Sequence, residues 1–167
     1  MNTIAQQDFT KNLFALLEET FEGPPANEPS AYLDKGGGLL QTLETISAKA
    51  ASTLTRSGAQ TIAAHTEHLR FYVEVHQKLL AGSTERINWD ESWRVQEVTP
   101  EQWHKLREDL KRTYSAAVEY LRHRKHWGED EIGLSLSIVA HTAYHLGAIR
   151  QLTKTLSDTS GESYPAV

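Results

Sequence analysis

The chain has 167 residues, 39% of them hydrophobic, with a net charge of −5 and a mean hydropathy of −0.50. That length predicts one domain over residues 1–167 with a core large enough to fold alone; no apolar run approaches the roughly 20 residues a bilayer needs. The absence of cysteine excludes disulfides, zinc–thiolate sites and a cysteine nucleophile, and the acidic balance argues against a nucleic-acid partner.

The opening MNTIAQQDFTKNLF lacks a basic region followed by an apolar one, so no signal peptide and a cytoplasmic protein are expected. The first helix is predicted over about residues 3–21, with Leu13, Leu16, Leu17 and Phe21 on its apolar face and Gly23-Pro24-Pro25 as its stop. A Pro/Gly-rich connection runs over residues 22–38, followed by a short helical piece, GLLQTLETI. The DKGGGLL stretch at 34–40 lacks the lysine and Ser/Thr of a phosphate-binding loop and reads as a flexible helix entry.

A second long helix is expected to open at Ser57, which has Gln60 at capping-box spacing, and to stop near Gly82. Residues 83–98 are polar and carry Trp89 and Trp93, which with Trp103 suit a pocket mouth, core packing or a subunit contact. Thr99-Pro100-Glu101-Gln102 marks a third helix start, with a threonine cap, proline at the first position and glutamine closing the box. Its inner stripe is Trp103, Leu106, Leu110, Ala117 and Leu121. It ends near the basic run RHRKH at 122–126, read as a solvated helix end whose cations complement the dipole. Asp130 and Glu131 favour a fourth helix start, running to about Leu156, and the tail DTSGESYPAV is expected to fray. Four long helical patterns and no convincing strand predict an all-α four-helix bundle, with the polar segment between helices two and three as a crossover.

The fourth helix reads Leu134, Ile138, His141, His145, Ile149, Leu152 and Leu156 along one face. His141 and His145 therefore lie one turn apart, about 6 Å along the axis. Unpaired polar groups are costly in an apolar core, and one metal ion would satisfy both imidazoles. In the second helix His65, Leu69, Tyr72, His76 and Leu79 share a face, and His68 flanks it. If that face meets the fourth helix, three histidines from two helices can hold a divalent ion and leave a position open, the arrangement of a catalytic site. His76, His104, His123 and His126 read as structural or solvated. Thr142 stands where a metalloprotease HExxH motif would carry its glutamate, and no carboxylate is clearly placed for acid–base work, so no catalytic side chain is assigned.

TIAAHTEHLRFY (61–72) and HTAYHLGAIRQL (141–152) resemble the DinB-like (YfiT-like) superfamily of metal-binding four-helix bundles. The resemblance covers nearly the whole chain in helix order and length, but its specific part is these two stretches. It implies a metal set of His68, His141 and His145. Periodicity prefers His65 for the third position, so His65 is kept as an alternative ligand or a neighbour of the ligands. The resemblance further implies zinc or nickel in an open site, a low-molecular-weight thiol as cofactor and a small electrophilic substrate, hence a metal-dependent thiol S-transferase. It also implies a homodimer. The alternative is a non-enzymatic metal- or ligand-binding bundle with a stress-response or interaction role.

Overall fold

The computed structural model describes residues 3–27, 29–55 and 59–160. Among the described residues it is all-helical: α1 Gln6–Glu22, α2 Leu39–Glu44, α3 Ala48–Ala51, α4 Ile62–Leu80, a 3-10 turn at Trp89–Trp93, α5 Pro100–Arg122 and α6 Glu129–Ser160. The helix starts are set by local chemistry. Ser47 and Thr61 each accept the backbone N–H three residues on, and Thr99 forms the full box with Gln102. α4 thus begins at Ile62, later than expected, because Thr61 rather than Ser57 is the cap; Ser57 itself lies outside the described residues, as does most of the C-terminal tail.

α1 ends at Gly23, whose φ of 93° is a left-handed conformation that glycine adopts without a steric cost. Gly38 enters α2 directly against that turn. A Cβ there would lie 2.2 Å from the Gly23 nitrogen, so the glycine run is a close backbone crossing as well as a helix entry. Between these points the loop is fixed by Glu19. Its buried carboxylate accepts the backbone N–H groups of Ala31, Tyr32 and Leu33, each at 2.7 Å. Burial alone would raise the pKa of Glu19, but the three donors outweigh it and leave the carboxyl below its ordinary range.

α4 is central: it packs on α5 and on α6, and the 3-10 turn lies against a further side. α1 packs on α6 and on α2. The core runs from Leu13, Leu17 and Phe21 through Leu39, Leu43, Ile62, Leu69 and Val73 to Leu106, Leu110, Leu121, Ile138 and Ile149. Phe21 stacks on Tyr114 with ring centroids 4.1 Å apart. Trp103 is buried and donates to the Ile46 carbonyl at 2.7 Å, which ties α5 to the link between α2 and α3.

Two faces differ from the periodic reading. On α6 the buried line is Ser135, Ile138, Thr142, His145, Leu146, Ile149, Thr153 and Leu156, so the face is turned slightly past Leu134 and His141, both half-buried. On α4 the flank carrying His68 is buried and His65 is half-buried, because neighbours cover this helix on several sides. In addition, α6 is long and apolar enough, by length and composition, to cross a membrane. No unbroken apolar run marks it in the sequence, because two serines, a threonine and two histidines interrupt the pattern.

Candidate metal centre

α4 and α6 meet with their histidines facing each other. His68, His141 and His145 each offer a ring nitrogen, and the three atoms lie within 4.8 Å of one another. His68 and His145 are buried, and His141 is half-buried. The Nε2 atoms of His68 and His141 are 2.9 Å apart. Ligand atoms around a tetrahedral zinc stand about 3.3 Å apart, given bonds of roughly 2.0–2.1 Å, and the His68–His141 separation is close to that value. Three buried or half-buried histidines this close could hold a metal ion.

The surroundings keep the rings neutral. Burial, reinforced by neighbouring imidazoles, pushes the pKa of His68 down to about 4 and that of His145 to about 3. Burial and the nearby His76 take His141 to about 4. Burial also lowers His65. Ligating histidines must be neutral, so the donor chemistry matches a divalent ion near neutral pH.

The 3-10 turn supplies what the sequence did not reveal. The Nδ1 of His68 lies 2.7 Å from the hydroxyl of Ser92, which is fully buried. That hydroxyl gives its single proton to the Trp89 carbonyl at 2.7 Å. Ser92 therefore accepts from His68, the His68 proton sits on Nδ1, and Nε2 presents a lone pair toward His141. An ion bound here needs the His141 proton on Nδ1 as well, a tautomer that neutral imidazole reaches readily.

Aromatic rings fix the planes. Trp93 stacks on His68 at 4.0 Å, and Tyr72 stacks on His141 at 3.7 Å with His76 on its other side at 3.9 Å. Of the three tryptophans singled out, Trp93 covers the site, Trp89 packs on Phe71 and Tyr72, and Trp103 belongs to the core. The only sequence signal for Ser92 and Trp93 was an aromatic-rich patch in an otherwise polar crossover.

His65 joins the cluster differently. Its Nδ1 is 2.8 Å from Nδ1 of His145, a hydrogen bond in any tautomer that places one proton between them. It thus touches a member of the triplet without belonging to it. His76 is buried against the Tyr72 carbonyl, while His104, His123 and His126 are exposed. Thr142 is fully buried, and its hydroxyl has no hydrogen-bond partner among the described residues.

No family model matches the chain, and neither does any curated protein or solved structure.

Proposed function

We propose that the protein is a metal-dependent transferase that joins a low-molecular-weight thiol to an electrophilic small molecule, and that α1, α4, α5 and α6 are the four helices of a DinB-like bundle. The pairing of α4 with α5 and α6, and of α1 with α6, supports that architecture. One observation carries the functional reading: three imidazoles from two helices converge, with no carboxylate or fourth histidine in the set among the described residues. Three protein ligands are the number that leaves a position for substrate. When bound, zinc or nickel supplies a Lewis acid that lowers the pKa of a thiol or water in that position. The chain's own residues do the rest. His68, His141 and His145 hold the ion, Ser92 fixes the His68 tautomer, and Trp93 and Tyr72 lock two ring planes and exclude water from them. We further propose that the protein works as a homodimer and has neither nucleic acid nor a membrane as partner.

The alternative, a non-enzymatic metal- or ligand-binding bundle, draws support from the burial of His68 and His145 and from the Trp93 ring lying on His68. A thiol-transfer screen on protein purified without a nickel column separates the two. The transferase reading expects conjugate formation that chelation abolishes while the circular dichroism of the helices persists. Metal binding without transfer for any thiol and electrophile tested would favour the alternative.

A further inference from the structure

The face of α6 turned away from α4 and α1 is apolar and exposed. Ile132, Leu136 and Tyr144 are 36%, 44% and 71% exposed, and Gly133, Ala140 and Gly147 lie exposed among them. Spacings of three, four and seven keep these residues on one stripe. Residues 132–149 contain no Asp, Glu, Lys or Arg, so nothing charged interrupts the stripe over that length.

The two glycines are the informative part. Neither has a positive φ; Gly133 lies in the second turn and Gly147 near the middle of a long helix, where glycine is less stable than alanine. A Cβ at Gly133 or Gly147 would meet nothing within 4 Å. Nothing among the described residues therefore calls for glycine at either position. A missing Cβ helps only when something outside the chain approaches the helix backbone closely.

The stripe is also symmetric about Ala140. Gly133 and Gly147 lie seven residues to either side of it, and Leu136 and Tyr144 lie four to either side. On an antiparallel pair of α6 helices with a two-fold axis at Ala140, Gly133 faces the partner's Gly147 and Leu136 faces the partner's Tyr144. One such pair forms an isologous contact. The same register brings exposed Glu129, in the first turn, within a helical turn of the partner's Lys154. It also opposes the two helix dipoles.

We propose that this face of α6 is the surface on which a second copy of the chain docks, antiparallel and centred on Ala140. The inference gives the proposed homodimer its contact surface and does not depend on the metal. Acidic residues at the head of the helix and a lysine near its foot complement a reversed copy of the same helix. They do not complement an anionic lipid surface.

The test uses the full chain. Sedimentation velocity at micromolar concentration should give a dimer, and Ala140→Arg, which sets two cations face to face, should give a monomer. Gly133→Ala and Gly147→Ala should each weaken the dimer by about tenfold or more. On the monomeric Ala140→Arg background the same alanines should raise resistance to urea, because they act there only on helix propensity. Because the natural chain has no cysteine, Ala140→Cys gives one thiol, which should form an interchain disulfide on mild oxidation. Ala116→Cys on the exposed side of α5 should not. A monomeric natural chain would overturn both the dimer and its surface. A dimer that is indifferent to Ala140→Arg, and that stays uncrosslinked in the Ala140→Cys variant, would keep the dimer and overturn the surface. Flotation of a monomer with phosphatidylcholine vesicles would assign the face to lipid and overturn the proposal.

Discussion

Nδ1 of His68 donates to the hydroxyl of Ser92 across 2.7 Å, and the Ser92 hydroxyl in turn donates to the Trp89 carbonyl. A serine in the crossover between α4 and α5 thereby decides which nitrogen of a helix histidine is free to bind. Partners of this kind commonly contribute roughly 10- to 100-fold in metal affinity. Ser92→Ala should raise the zinc dissociation constant by about that factor while leaving the circular dichroism unchanged. Isothermal titration would measure it, and an unchanged affinity would show that the hydrogen bond does not set the tautomer.

His68 should matter more than His65. His68 belongs to the triplet, whereas His65 lies outside it and is hydrogen-bonded to His145. Zinc titrations of His65→Ala and His68→Ala should show the larger loss for His68→Ala. The reverse order would make His65 the ligand, as the periodicity of α4 prefers.

How far the sequence revealed this site follows from the range of each interaction. The His141–His145 pair was legible because residues four apart on a helix share a face whatever surrounds them. The Thr99 box was legible for the same local reason. Periodicity favoured His65 over His68 because it assumes one narrow inner face, whereas α4 is covered on several sides and its buried arc is wide enough to take in His68. Ser92 was hidden because its contact with His68 spans 24 residues and depends on the path of the crossover. Glu19 was hidden because its partners are backbone N–H groups, which leave no mark in a sequence.

Glu19→Gln should destabilise the fold by about 1–3 kcal/mol at neutral pH, since the amide turns a donor toward backbone N–H groups. The folded pKa of Glu19 is depressed below its ordinary value of 4.5. Its contribution is therefore present above that value and fades as the pH falls through the folded one. Urea melts should show a deficit for the variant near neutrality that shrinks in acid. An equal deficit at both would point to packing rather than charge.

The metal-free protein should lose stability as the pH falls from about 6.5 toward 4. An unfolded histidine titrates near 6.5, whereas His68 and His141 titrate at about 4 and His145 at about 3 in the fold. In that window the unfolded chain binds protons that the folded chain refuses, so stability rises with pH and is complete above 6.5. Thermal melts across the window would measure the slope. The His68/His141/His145 triple alanine variant should flatten it, and an equal slope in that variant would place the titration elsewhere.

We propose that His68, His141 and His145 together hold one divalent ion. Elemental analysis of protein purified without a nickel column, beside the same triple alanine variant, tests it most directly. About one ion per natural chain and none in the folded variant is the expected result. Full occupancy in the variant, or no ion in the natural chain even after incubation with zinc or nickel, would contradict it.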